Sequence, residues 1–199
     1  MRPVRVALLD GPWQAGCEVG EGASPAARHA QAVAAALLAE CPDVEIMNFP
    51  VFAERLVTSR AQVATQVRAA LAAAPDLLHC SFGFTAADAE TAAAFAQAVQ
   101  VCRFVVASAP ARGCPVWPGA YPGVIRASGD ARCQPGEYAW LDTVLVDVAA
   151  CAQPAQGVIA GSSVAAGRVS GLIARYCLQQ GMAWEAFLQQ ARFRGAERR

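Results

Sequence analysis

Lysine is missing from this chain of 199 residues, and all 16 of its basic residues are arginine. Without lysine the chain cannot carry a Walker A phosphate loop, a Schiff-base lysine or a serine–lysine dyad. The 16 acidic residues balance the arginines, and a net charge of zero does not favour a nucleic-acid partner, which needs a basic face. Every apolar run is too short for a membrane helix of about 20 residues. The Gly-x-Gly-x-x-Gly motif of dinucleotide-binding proteins is missing as well.

The eight cysteines contain no Cys-x-x-Cys pair and no spacing typical of a metal site. Several lie within apolar runs, where a free thiol behaves as a small hydrophobic side chain. No calcium-binding loop with alternating acidic residues occurs. We therefore expect no metal and no other cofactor. The chain passes from Met1-Arg2-Pro3 directly into a strand pattern and not into a cleavable signal sequence. We therefore expect a cytoplasmic protein, in a compartment where disulfides are rare.

The composition and the residue pattern indicate one α/β domain. The hydrophobic fraction is 55% and the charged fraction is 16%, which is typical of a folded globular chain. Strand patterns alternate with helical ones, so we expect a mostly parallel sheet between layers of helices. The domain is predicted to span 1–194, with a disordered tail at 195–199. The predicted elements are strands at 4–9, 44–49, 77–82, 102–107, 124–127 and 143–148 and helices at 29–41, 59–73, 86–100, 164–179 and 184–192.

Three residues with catalytic potential follow one another in the order Asp, His, Ser. Asp10 ends the first predicted strand, and parallel sheets bind ligands at such ends. His29 opens the first predicted helix, after a predicted loop at 13–28. Ser163 begins an apolar helix, where backbone N–H groups are left unpaired. Each residue alone has an ordinary structural explanation, such as a helix cap for the serine. Together they follow a chain order known for Asp-His-Ser triads. The other histidine, His79, lies in an apolar strand pattern and is expected to be structural.

Five segments resemble the motifs of subtilisin-like serine proteases, in the order that the family has them. They are Val6–Gly11 (VALLDG), His29–Ala34 (HAQAVA), Cys80–Gly83 (CSFG), Tyr121–Ile125 (YPGVI) and Gly161–Ala166 (GSSVAA). The resemblance implies a single-domain, three-layer fold in a minimal version, because the chain is short for the family. It also implies a triad of Asp10, His29 and Ser163, in which Ser163 and not Ser162 is the nucleophile.

The resemblance also implies how the oxyanion of the reaction would be stabilised. The backbone N–H of Ser163 would donate one hydrogen bond to it. The family's second donor is the asparagine of an Ala-Ala-Gly-Asn segment, but the matching position here is Ala111. The only asparagine of the chain is Asn48, in the second predicted strand. Ser108 and Arg112 are therefore the candidates for the second donor.

A substrate pocket is implied by the same resemblance. Its lining residues would be Ser81, Phe82, Gly83, Ser108, Ala109, Pro110 and Val116. Val116 would stand at the base of the pocket, where the family often has glycine. A branched side chain there would make the pocket shallow, because filling a pocket with extra methyl groups disfavours a bulky ligand. We therefore expect cleavage after a small residue such as Ala, Ser or Gly.

Within the family, the chain resembles the maturation proteases encoded with quinohemoprotein amine dehydrogenase. Those proteases remove a leader peptide from the crosslinked small subunit. The implied partner is a precursor polypeptide, together with the enzyme that modifies it. Two other hypotheses stay open. One is an inactive relative that binds an extended peptide along Ser81–Gly83. The other is a small-molecule-binding α/β protein in which Asp10 holds the ligand.

Overall fold

A mostly parallel sheet forms the middle layer of the protein. The computed structural model describes residues 2–17, 20 and 22–196. The strand order across the sheet is β2-β1-β3-β4-β5-β7-β6-β8, and within it β6 and β7 form the antiparallel pair. In the described part of the chain the strands are β1 Arg5–Asp10, β2 Glu45–Pro50, β3 Leu77–Cys80, β4 Phe104–Ser108, β5 Ile125–Gly129, β6 Tyr138–Trp140, β7 Val148–Ala150 and β8 Phe193–Arg194.

Helices cover both faces of the sheet. They are α1 Pro25–Glu40, α2 Arg60–Ala72, α3 Ala89–Val101, α4 Ser162–Ile173, which continues as a π-helix over Ala174–Gln179, and α5 Trp184–Gln189. Alternate residues of β1 face opposite layers, as the pleat requires. Ala7 and Leu9 share an apolar cluster with α2 and α3, whereas Val6 and Leu8 pack with residues of α1 and α4. The three-layer α/β architecture predicted from the sequence is confirmed.

The first helix begins at Pro25, so the prediction that His29 opens it is wrong. Ser24 caps this helix, because its Oγ accepts a hydrogen bond from the backbone N–H of Ala27 at 3.1 Å. A serine followed by a proline is a strong start signal, since proline fits the first helical position. His29 therefore lies in the second helical turn, and the predicted loop at 13–28 ends earlier than expected.

The strand predicted at 143–148 is also wrong. Thr143 begins a turn there, and its Oγ1 accepts a hydrogen bond from the N–H of Val146 at 2.9 Å. The strand itself is Val148–Ala150, and its antiparallel partner Tyr138–Trp140 was not predicted. Strands of three residues are too short to show an alternating pattern. The helix predicted at 164–179 changes to π-helical hydrogen bonding after Ile173.

The end of the described chain is attached to the sheet. The N–H of Gly195 donates to the carbonyl oxygen of Trp140 at 2.9 Å. The predicted tail at 195–199 also includes 197–199, which lie outside the described residues. The predicted domain limit at residue 194 therefore stays a prediction. None of the described helices is long and apolar enough to cross a membrane.

Glycines let α1 and α4 approach each other closely. A Cβ atom added at Gly167 would lie 2.7 Å from the carbonyl oxygen of Val33, and one at Gly171 would lie 2.4 Å from that of Leu37. Both distances are shorter than real Cβ contacts, so a larger residue would push the helices apart. This contact sets the distance between His29 on α1 and the first turn of α4.

Candidate active site

Asp10 is fully buried at the end of β1, and donors surround its carboxylate. The N–H of Gly11 donates to Oδ1 at 2.7 Å, and the hydroxyl of Ser81 donates to Oδ2 in a short hydrogen bond. The imidazole Nδ1 of His29 lies 2.8 Å from Oδ1 and 3.0 Å from Oδ2. A buried carboxylate held in this way can fix the orientation of the imidazole and stabilise its protonated form.

One nitrogen of the His29 ring contacts Asp10, and the other is free to contact a group in the cleft. Nδ1 contacts Asp10, so Nε2 lies on the opposite edge of the ring. The side chain is 12% exposed, and His29 lines a cleft of about 450 Å³. In the tautomer that this contact favours, Nδ1 carries the proton and Nε2 can accept one. The geometry thus leaves one imidazole nitrogen of a cleft residue free to accept a proton.

Ser163 lies in the same cleft, in the first turn of α4. Its hydroxyl donates to the carbonyl oxygen of Ser81 at 3.1 Å, and the structure has no hydrogen bond between it and His29. Ser162 faces a different region, where its Oγ lies 3.4 Å from the Oγ of Ser128. Of the two neighbouring serines, Ser163 is therefore the one that shares the cleft with His29.

The start of α4 provides unpaired backbone donors beside Ser163. Gly161 is the N-cap residue, with φ 119°, and no side chain caps the helix. That φ favours glycine, because an L side chain rarely adopts it. The N–H groups of the first turn have no partners within the helix, and the helix dipole adds positive potential there. A negative charge that develops next to Ser163 is stabilised by both.

The cleft follows the segment after β3. It is lined by His29, Phe52, Leu56, Val57, Thr58, Ser81, Phe82, Gly83, Phe84 and Ser163. Gly83 is exposed and follows β3 by three residues. The next residue, Phe84, pairs with Trp117 through two backbone hydrogen bonds of 2.7 and 3.0 Å. A Cβ atom at Gly83 would lie 2.7 Å from Val116 Cγ2, so Val116 packs directly against this glycine.

The structure brings only part of the predicted pocket together. Ser81, Phe82 and Gly83 line the cleft. The predicted pocket residues that do not line it are Ser108, Ala109, Pro110 and Val116. Ser108 and Ala109 are buried at the end of β4, and Val116 reaches the site through its contact with Gly83.

The two candidates for the second oxyanion donor differ in position. Ser108 is 8% exposed and belongs to β4. Arg112 is exposed and lines a second cavity together with Gly161 and Ser162, which directly precede Ser163. Asn48 is engaged elsewhere, because its side chain accepts from the N–H of Trp13 and donates to the carbonyl of Gly11.

Two polar side chains have roles that the sequence did not indicate. Ser81 was expected only to line the pocket, but its hydroxyl also binds Asp10. His79 is fully buried, and its Nδ1 lies 2.8 Å from the Oγ of Ser170 on α4. Burial lowers the pKa of His79 to about 4, so this histidine is neutral. No local sequence signal marks either contact, because the partners lie 71 and 91 residues apart.

Comparison with known proteins gives structural relatives only. Neither a family model nor a curated protein matches the sequence. A cold-adapted subtilisin-like serine proteinase superposes with a TM-score of 0.68 and 15% identity, over 94% of this chain and 80% of that one. The chain has the subtilisin-like fold. The maturation protease of prenylagaramide, PagA, gives 0.63 and 20% over 89% and 77%, and sphericase gives 0.62 and 15% over 94% and 81%. The fold expected from the motifs is thereby confirmed.

Proposed function

We propose that the protein is a serine endopeptidase with Asp10, His29 and Ser163 as its catalytic triad. One observation carries this proposal. A buried aspartate holds a histidine at 2.8 Å, and that histidine shares a cleft with a serine at the N-terminus of a helix. The subtilisin-like fold supports the proposal, because the motif resemblance that selected these three residues also predicted that fold.

The proposed reaction begins when a substrate carbonyl enters the cleft. The Ser163 hydroxyl leaves the carbonyl of Ser81, turns towards His29 Nε2 and gives up its proton as Oγ attacks the carbonyl carbon. His29 then donates that proton to the leaving amine, and the acyl group stays on Ser163. Water, deprotonated by His29, hydrolyses the ester. Asp10 stabilises the imidazolium in both steps.

The oxyanion would accept hydrogen bonds from the first turn of α4, including the N–H of Ser163. The family's asparagine position is Ala111, so this site has no amide side chain in that place. The loss of one such donor costs about 2.7–4 kcal/mol, or a factor of about 10²–10³ in rate. A slow enzyme is adequate where each substrate molecule is cut only once.

The substrate would bind as an extended strand along the exposed backbone of Gly83. Val116 packs against Gly83, so its branched side chain would limit the depth beneath the residue that precedes the scissile bond. This supports the expectation of a small residue, such as Ala, Ser or Gly, at that position. The aromatic side chains Phe52, Phe82 and Phe84 make the rest of the cleft apolar.

A dedicated precursor is the proposed substrate. The small size of the chain, its cysteine content and its expected cytoplasmic location resemble those of the proteases that mature quinohemoprotein amine dehydrogenase. The substrate would then be the small subunit of that enzyme, whose leader peptide would be removed in the cytoplasm with the modifying enzyme as a partner. The structural similarity to a maturation protease of another peptide supports a role of this kind. All eight cysteines are free thiols, which agrees with a reducing compartment.

A fluorophosphonate probe tests the proposed chemistry directly. We expect it to label Ser163 in the wild-type protein and to leave the His29→Ala and Ser163→Ala variants unlabelled. Ser162→Ala is the matched control, since it removes the neighbouring hydroxyl and leaves the cleft intact. Co-expression with the proposed precursor, followed by mass spectrometry of the products, then tests the substrate.

The second candidate function is peptide binding without cleavage. It is favoured by the missing asparagine and by the hydrogen bond that holds the Ser163 hydroxyl on Ser81 and not on His29. An unlabelled Ser163 together with micromolar binding of the precursor peptide would establish this function in place of catalysis.

A further inference from the structure

A second cavity, of about 530 Å³, lies on the other side of the nucleophile. The cleft is lined by Ser163 and by residues 81–84, whereas the second cavity is lined by Gly161 and Ser162. The two have no lining residue in common, and their linings include the consecutive residues Ser162 and Ser163. A polypeptide bound with the part before the cut in the cleft can therefore reach this cavity with the part after the cut.

Two charged side chains line the second cavity, and one of them is already neutralised. Asp130 is 6% exposed, and Arg132 donates to it through Nη2 at 2.7 Å and Nε at 3.0 Å. Burial acts to raise the pKa of Asp130, but the hydrogen bonds from Arg132 outweigh it and the pKa is lowered. Asp130 is therefore an anion whose charge Arg132 compensates.

Arg112 is the other charged side chain of the cavity. It is exposed on the loop after β4, and it forms no hydrogen bond or ion pair with any residue that the structure describes. The remaining polar side chains of the lining are neutral: Ser128, Gln134, Gln153 and Ser162. Among the residues that the structure describes, this cavity thus carries one guanidinium without a paired acid, that of Arg112.

We propose that this cavity binds the substrate segment that follows the scissile bond, and that Arg112 selects an acidic side chain within it. A guanidinium is suited to this task because it forms two parallel hydrogen bonds with a carboxylate. The glutamine and serine side chains of the lining can bind peptide groups of the same segment. This inference rests on the proposed endopeptidase function and adds the chemistry of the residues after the cut.

The test is a peptide library cleaved by the wild-type protein, with the products identified by mass spectrometry. We expect Asp and Glu to be enriched among the first three residues after the cut. The best peptide is then made in matched forms with Glu, Gln or Arg at the enriched position. Wild-type kcat/KM should be about tenfold higher for Glu than for Gln, the size expected of one charge-assisted hydrogen-bonded pair.

Variants of Arg112 test whether this side chain causes the preference for Glu over Gln. Arg112→Gln should remove the difference between the Glu and Gln peptides, and Arg112→Glu should favour the Arg peptide. Arg103→Gln is the control, because Arg103 is an exposed arginine that precedes β4, at the opposite edge of the sheet. It should keep the wild-type preference.

Three results would overturn the inference. The first is cleavage without acidic enrichment. The second is an equal loss of kcat/KM for all peptides in Arg112→Gln, which would show that Arg112 serves the oxyanion. In both cases fluorophosphonate labelling of Ser163 shows that the proposed function still stands. The third is the absence of both labelling and cleavage, in which case the proposed function fails and this inference fails with it.

Discussion

The two helical layers of the protein are built differently. The layer formed by α2 and α3 contacts the sheet through apolar side chains and buried thiols, such as Val67, Phe95 and Cys102. The layer formed by α1 and α4 also contains buried polar pairs. Arg168 lies 2.7 Å from Glu40, with both side chains less than 5% exposed, and His79 contacts Ser170 at 2.8 Å. The buried ion pair and the buried imidazole contact both lie in the layer that carries His29 and Ser163, whereas the other layer has a hydrogen bond between the hydroxyl groups of Thr91 and Tyr121.

The difference has a physical reason. A layer packed mainly by apolar groups can slide by fractions of an ångström at little cost, because dispersion has no preferred direction. Hydrogen-bonded pairs and close backbone contacts fix both distance and rotation. His29 on α1 and Ser163 on α4 need a fixed relation, since a misplacement of about 1 Å can cost a factor of about 10² in rate. We therefore expect substitutions in the α1–α4 layer to affect activity as well as stability.

The largest effect is expected at the nucleophile. Ser163→Ala should lower peptide cleavage by at least about 10⁴-fold with little change in the melting temperature, because it removes the attacking hydroxyl, which is half-buried and donates one hydrogen bond, to the carbonyl of Ser81. Ser162→Ala should keep most of the activity, since the Ser162 hydroxyl is 3.4 Å from Ser128 and outside the cleft. The reverse result would show that the motif match is displaced by one residue.

The next effect concerns the buried ion pair between α1 and α4. Arg168→Met leaves the Glu40 carboxylate buried without its cation, which should lower the free energy of unfolding by about 3–5 kcal/mol. Arg168→Met with Glu40→Leu should recover most of that loss, because both charges are then gone. Urea unfolding measures both variants. An Arg168→Met variant as stable as the wild type would show that the ion pair does not stabilise the fold.

Phe95→Ala in the opposite layer is the control for that comparison. It should also cost about 3–5 kcal/mol, because Phe95 is 1% exposed in α3 and its loss leaves a cavity. At a temperature where both proteins are folded, Phe95→Ala should keep the wild-type kcat and Arg168→Met should lower it. Equal kcat values in the two variants would remove the distinction between the layers.

A smaller effect is expected from His79. Its pKa is lowered to about 4 in the folded protein, below the ordinary histidine value of 6.5, so folding favours the neutral ring. The contribution to stability is present above about pH 6.5 and is lost as the pH falls towards 4, by up to about 3 kcal/mol. The difference in urea stability between wild type and His79→Gln should shrink over this range. A stability difference that does not change with pH would show that the fold does not favour the neutral form of His79.

The smallest effect is expected in the specificity pocket. Val116→Gly should open space beside Gly83 and increase cleavage after larger residues such as Phe, because it removes about 1–3 kcal/mol of overpacking. Cleavage after Ala should change little. Product mass spectrometry with a peptide library measures both. Dominant cleavage after aromatic or basic residues by the wild type would show that Val116 does not close the pocket.

Local sequence patterns predicted most of the fold, and the reasons are visible in particular segments. The run Phe104–Ser108 is apolar because both faces of the sheet are covered, which made it recognisable as a parallel strand. The short strands Tyr138–Trp140 and Phe193–Arg194 were missed, because two or three residues carry no periodicity. The predicted start of α1 is four residues late, because Ser24 and Pro25 lie within a segment rich in small residues that favours a loop.

For the site, the sequence by itself determined the residue types and their order. Asp10, His29 and Ser163 stand at a strand end and within helical turns, and these are local features that a pattern can show. Only the tertiary structure decided that Ser81 binds Asp10, that Ser163 and not Ser162 shares the cleft with His29, and that Arg112 lies beside Gly161. Such contacts join residues up to 128 apart in the chain, as in the Arg168–Glu40 pair. They depend on how the layers pack, and packing distance and rotation leave no mark on the local sequence of either partner.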